Sequence, residues 1–350
     1  MSDAFAVLID RLNYPQSKYL RSILEHLMTP EQAALCVEMP CTLEELSGKV
    51  GMPLEEVTRT VDRLFRKGLV IPKNWETMEN PRFVRNVNIL HDSTLASLRL
   101  DPIKHPTLGQ LWQEFYEKEW AGDMAKEWLG DEVPRQRIIP SYKAILNSPE
   151  ILPYEDAREI MKAASHRAVV SCTCKKRKAS VGKSCKKSNN GITCIQLGRS
   201  AQYAVTRGTG VSLTVDESID LLDEIEEDGL IHLWINSDTM SMMVMCNCCN
   251  DCCLILNTTL KHKVPPTKVY AKSRYEARVD QDTCNGDKIC LQRCPFGAIR
   301  MQEVAGESRA FVNPEKCMGC GVCVITCPTG AMKFDLVRPK EHIPPAPQRV

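Results

Sequence analysis

CMGCGVCVITCP, residues 317–328, sets Cys317, Cys320, Cys323 and Cys327 at C-x2-C-x2-C-x3-C spacing and follows the last with a proline. CNGDKICLQRCP, residues 284–295, keeps the same register with Cys284, Cys290 and Cys294, but Asp287 stands where the second cysteine would be. RVDQDTC leads into the earlier run and FVNPEKC into the later one, and the runs close in CPFGAI and CPTGAM. This internal repeat spans 279–336 and predicts a strand, a ligand loop and a short helix, twice over.

Cysteine is the compositional outlier: 18 of 350 residues, with 16 of them between Cys172 and Cys327. No N-terminal stretch joins a basic start to an apolar core and a small-residue cleavage site, and no apolar run approaches the roughly 20 residues of a spanning helix. The expected compartment is therefore the cytoplasm. There, dense cysteines point to metal or redox sites rather than disulfides. Lys and Arg total 45 against 44 Asp and Glu, so overall charge argues for neither nucleic acid nor an anionic membrane as main partner.

Residues 279–336 resemble the bacterial two-cluster ferredoxin domain. In that family three thiolates of one tight loop hold three corners of a cubane, and the fourth comes from the other run. The resemblance implies one [4Fe-4S] cluster on Cys294, Cys317, Cys320 and Cys323. It implies a second on Cys284, Cys290 and Cys327, with Asp287 at the remaining corner. Three outcomes are open for Asp287: a carboxylate ligand to the fourth iron, a three-iron [3Fe-4S] cluster, or a corner open to an outside ligand. A fourth reading leaves it as a solvated loop residue.

A further constellation comprises Cys172, Cys174, Cys185, Cys194, Cys246, Cys248, Cys249, Cys252 and Cys253. Residues two apart on a strand share a face, so Cys172 with Cys174, and Cys246 with Cys248, are expected to point together from neighbouring strands. The adjacent pairs Cys248-Cys249 and Cys252-Cys253 must then lie in a loop or serve different sites. Nine cysteines exceed one four-ligand site. An additional [4Fe-4S] cluster or a zinc ion is expected here, and soft thiolates accept either. Between Cys174 and Cys194 runs the most basic stretch of the chain, from Lys175 to Lys187, expected as a loop near the cluster that steers an acidic redox partner.

Toward the N-terminus, TLEELSGKVGMPLEEVTRTVDRLFRKGLVIPK, residues 42–73, orders a short helix, a turn at Gly51-Met52-Pro53, a longer helix stopped at Gly68, and a strand. It resembles a winged helix-turn-helix module. Glu55 and Glu56 open the second helix where a groove reader would meet phosphates, so nucleic acid is not the expected partner. Residues 86–165 read as a helical connector in which Trp112, Phe115, Trp120 and Trp128 pack together.

The expected architecture is α+β and multidomain: a winged-helix-like domain at 1–85, the connector at 86–165, and a mixed α/β cysteine-rich metal-binding domain at 166–262. A linker at 263–278, the ferredoxin-like βαβ repeat at 279–336 and a proline-rich tail at 337–350 complete it. No dinucleotide or Walker signature survives inspection, since Arg177 holds the first glycine position before Gly182-Lys183-Ser184. As a whole the chain resembles multidomain iron–sulfur proteins of anaerobic prokaryotes. That implies an electron-transfer protein or subunit serving an anaerobic oxidoreductase through a redox partner. The alternatives are a redox-sensing transcription regulator and an oxidoreductase with its own metal centre at 172–253.

Overall fold

A computed structural model describes residues 3–240 and 243–345. Ser241, Met242 and the last five residues of the tail lie outside the described residues. Helices take 42% and strands 16%, a mixed composition that fits α+β. The chain divides into two compact units.

The first unit contains the residues up to Trp120 together with Val170–Ser184 and Tyr203–Val211. The helix Leu43–Val50 begins in a capping box, in which Thr42 Oγ1 accepts the Glu45 N–H and Glu45 Oε2 accepts the Thr42 N–H. Such a cap contributes about 1 kcal/mol. Leu54–Lys67 follows, burying Val57, Val61, Leu64 and Phe65 on one stripe. Gly68 stops it at φ 87°, where a β-carbon would sit 2.6 Å from the Ser93 carbonyl oxygen. A two-stranded pair, Val70–Ile71 with Arg82–Phe83, completes the segment. Trp112, Phe115 and Trp120 are buried, and the Trp112 indole N–H donates to Thr94 Oγ1 at 3.1 Å.

Two expectations fail in this unit. Cys172 and Cys174 do not share a strand: the strand Arg167–Val170 ends before them, and Cys172 is the N-cap of the helix Thr173–Ala179. Nor does the basic stretch begin as a loop. Lys175, Lys176, Arg177 and Lys178 are good helix formers, and the helix buries the first three. Lys176 donates to the Ser97 carbonyl, while Arg177 donates to Gln113 and lies over the Tyr116 ring at 4.0 Å. These cations are used inside the unit rather than offered to a partner.

The second unit is built on strands lying side by side in the order 167–170, 194–197, 244–248, 231–235, 136–139 and 270–271. Ile195 faces Met245, Leu233 faces Cys246 and Ile231 faces Cys248, all antiparallel, while Gln136 meets Tyr270 in parallel. Helices Ala157–Ala163 and Val215–Glu227 supply Ile160, Met161, Leu222 and Ile225 to the core over this sheet. Each large apolar side chain so buried contributes roughly 1.5–3 kcal/mol. The cap of the second helix is Thr214, paired with Glu217. The connector segment thus also contributes the strand Gln136–Ile139. Residues 263–278 hold the helix Pro266–Val269 and two strands instead of an extended linker.

C-terminal to them, Tyr275–Val279 pairs antiparallel with Met332–Leu336, and Ile299–Val304 forms a hairpin with Glu307–Val312. The repeat is imperfect. A short helix, Ile289–Arg293, lies within the first run and carries Cys290, whereas the second run passes through turns alone. The tail is not all surface: Ile343 is buried, and the Pro344 carbonyl accepts the Asp238 N–H at 2.9 Å.

Candidate metal centres

The loop 317–323 can wind tightly because Gly319 and Gly321 take φ 71° and 78°, the left-handed region open to glycine. A β-carbon on Gly319 would come within 2.1 Å of Ser273 Oγ and 2.3 Å of the Tyr275 carbonyl oxygen, so the loop also lies flush on the strand beside it. Cys317, Cys320 and Cys323 from this loop, with Cys294 from the earlier run, line one cavity. Its other walls are Ala277, Phe296, Ala298, Ile299, Val312 and Val322, with Met318 and Gly321. Four thiols converging in an apolar space, with no carboxylate or amine on the wall, fit the donor set of a cubane.

Cys284 and Cys290 belong to the same hydrophobic cluster, and Cys327 packs against it. Burial pushes the Cys290 thiol up to about 11, with the negative charge of Asp287 adding to the effect. Burial likewise raises Cys320 and Cys323, which favours the protonated thiols, so a metal held there would have to draw off their protons. Backbone N–H groups already point at the sulfurs: Ala298 N–H reaches Cys294 Sγ at 3.3 Å and Ala310 N–H reaches Cys284 Sγ at 3.5 Å. Such bonds tune cluster potential. Asp287 is exposed, and its Oδ1 accepts the Ile289 N–H at 2.9 Å, holding the start of the helix that carries Cys290.

In the cysteine-rich segment the strand Val244–Cys248 alternates as expected, turning Met245 and Asn247 inward and setting Cys246 and Cys248 together on the other face. Cys248 shares side-chain hydrogen bonds with both Cys246 and Cys253, and these bonds, with burial, hold its thiol far above the ordinary range. The strand 194–197 runs antiparallel alongside, and continuing its register by one residue sets Cys194 opposite Cys246. Gln196 Nε2 donates to Cys194 Sγ at 3.2 Å.

The neighbouring cysteines go elsewhere. Cys249 and Cys252 are 4% and 1% exposed and sit in the hydrophobic core of the unit, with Cys185 packed against them. The three sulfurs lie within 4.8 Å of one another. Hydrogen bonds from Cys249 and Cys252 pull the Cys185 thiol below its usual value. Cys172 and Cys174 are placed in the first unit, the one at the N-cap and the other in the first turn of the helix Thr173–Ala179.

Asp251 goes unread in the sequence, and His232, which flanks the segment, reads there as a surface or core histidine rather than a ligand. Asp251 Oδ2 accepts the Lys186 N–H at 2.8 Å and lies 3.6 Å from Cys252 Sγ, pinning the chain beside Cys185 onto the turn 249–252. His232, buried, links Asn247 Oδ1 at 2.6 Å to Glu226 Oε1 at 3.2 Å, which fixes the strand carrying Cys246 against its neighbour. The C-x2-C spacing of Cys249 and Cys252 is the available signal for Asp251; for His232 the sequence allows a core histidine, but nothing local gives its partners Asn247 and Glu226.

Among the described residues, no helix is long and apolar enough to cross a membrane. No curated protein matches the chain. Residues 283–331 match the family model of the 4Fe-4S dicluster domain. That span encloses both cysteine runs and all seven of their thiols, so the C-terminal part of this chain carries a 4Fe-4S dicluster domain with an iron–sulfur electron-transfer role.

Proposed function

We propose that the protein is an electron-transfer protein or subunit that carries single electrons between a donor and an oxidoreductase of anaerobic metabolism. The single observation behind this reading is the cavity in which Cys294, Cys317, Cys320 and Cys323 meet among apolar side chains. A bound [4Fe-4S] centre supplies one-electron redox chemistry at such a place. The chain's own residues do the rest. Phe296, Ile299 and Val322 keep water from the sulfurs, and the Ala298 N–H stabilises negative charge on Cys294, as the Ala310 N–H does on Cys284 of the other set. Cys284, Cys290 and Cys327 hold the second centre, with Asp287 at its fourth corner. A further thiolate centre in the segment 166–262, of cluster or zinc type, is part of the same proposal.

The helices at 43–50 and 54–67 with their strand pair support a winged-helix-like module. Glu55 and Glu56 in the first turn of the second helix favour a protein surface over a phosphate backbone as its partner. The decisive experiment is anaerobic purification, iron and sulfide counting, and electron paramagnetic resonance on reduction. About seven or eight iron per chain with two interacting signals is expected from the dicluster domain. Iron at trace level, with no signal after reconstitution, would overturn the reading. Salt-sensitive, sequence-specific DNA binding that changes on oxidation would replace it with a regulator.

A further inference from the structure

We infer that Cys185, Cys249 and Cys252 bind a single thiophilic divalent ion, zinc, at a centre separate from the dicluster domain. Sulfur spacing carries the inference. Around one tetrahedral ion with metal–sulfur bonds of about 2.3 Å, neighbouring sulfurs are about 3.8 Å apart; Cys185 Sγ and Cys249 Sγ are 3.7 Å apart. Thiolates on a cubane bind four different irons and spread further. Among the described residues this trio is the one group of three metal-ligating side chains whose ligand atoms all fall within 4.8 Å. Neither dicluster set, nor Cys246, Cys248 and Cys253, is drawn so close.

The surroundings fit the same ion. Cys249-Asn250-Asp251-Cys252 is a C-x2-C turn, the ligand pair common in zinc sites, and the Cys252 N–H donates to Cys249 Sγ at 3.3 Å, as outer hydrogen bonds to metal thiolates do. Asp251 is a positioning residue, bringing Cys185 to the turn through the Lys186 N–H. Cys249 also borders a cavity of ≈ 280 Å³ whose lining sets Glu227 and Asp228 beside Lys186, Lys187 and Arg293, an opening through which the ion can reach the thiols. Adjacent cysteines are thereby divided: Cys249 and Cys252 face the ion, whereas Cys248 and Cys253 turn to the Cys246 side.

The test uses the full chain purified anaerobically from medium containing both iron and zinc. About one zinc per chain is expected beside the iron, and zinc-edge X-ray absorption of the wild type should show three sulfur neighbours at about 2.3 Å. Cys185→Ser should abolish zinc retention on dialysis against a chelator, and Asp251→Ala should weaken zinc affinity about 10–100-fold with all thiols present. Iron, sulfide and the resonance signals should stay at wild-type levels in both variants. Wild-type protein without zinc after zinc reconstitution overturns the inference, as does a Cys185→Ser protein that loses iron and sulfide instead of zinc. If either variant fails to fold, the wild-type absorption spectrum decides. The zinc readout and the iron signals are separate measurements, so failure here leaves the electron-transfer reading standing, and the converse also holds.

Discussion

Asp287 shows how one residue can occupy a ligand register and still do local work. Its Oδ1 accepts the Ile289 N–H at 2.9 Å, at the start of the helix that carries Cys290, and its charge is felt at the Cys290 thiol. Cysteine at this position would supply the fourth thiolate of its run. Asp287→Cys is therefore expected to change the resonance spectrum and midpoint potential of one cluster and leave the other as it was. Unchanged spectra for both would place the aspartate away from the corner. Lys176 shows the opposite case, a charge hidden from solvent. Burial lowers it from 10.5 to about 8, so between these values the unfolded chain holds a proton that the folded chain has released. Stability should accordingly rise with pH across about 8 to 10.5, because the unfolded state binds more protons there. Lys176→Met should lack that rise in pH-dependent denaturant melts; an identical pH profile would show that the amine is not buried in solution.

At the scale of the element, the ligand loop 317–323 depends on backbone shape as much as on thiols. Gly319 combines a left-handed φ of 71° with contacts that leave no room for a methyl group. Gly319→Ala should push the loop off Ser273 and Tyr275, reduce iron by about one cluster per chain, and cost roughly 1–2 kcal/mol from the dihedral alone. Iron counting and a thermal melt check this, and wild-type iron content would refute it. The helices at 43–50 and 54–67 were legible in the sequence because capping residues, stop glycines and apolar period are local signals. Cys172-x-Cys174 misled for the complementary reason. Period two is compatible with a strand, but the run of Lys, Arg and Ala after it favours a helix, and the helix won. Loop charge was misread in the same place, since no local pattern reveals that Ser97, Gln113 and Tyr116 are waiting for Lys176 and Arg177.

At the scale of the whole molecule, the dicluster segment is continuous with the α/β core of the second unit. Arg274, at the entry to the strand Tyr275–Val279, is 1% exposed and pairs with Glu150 at 2.5 Å and with the fully buried Glu155 at 3.3 Å. Truncating one partner of a buried pair strands the other charge, at a cost of about 3–5 kcal/mol. Arg274→Ala should lower the unfolding free energy of the full chain accordingly, and Glu155→Gln in the same background should recover part of the loss; an unfolding free energy within about 0.5 kcal/mol of wild type, the scatter of ordinary surface changes, would rule the pair out as a fastening. By itself the sequence determined the dicluster segment, because a C-x2-C-x2-C-x3-C-P run writes loop geometry and ligand type into adjacent residues. The tertiary structure alone decided how the cysteines of the 185–253 segment are shared out. Which sulfurs meet depends on the chain beside Cys185 being pinned to the turn 249–252 and on strand faces turning Cys246 and Cys248 away, and distances between remote segments are not encoded in any local spacing.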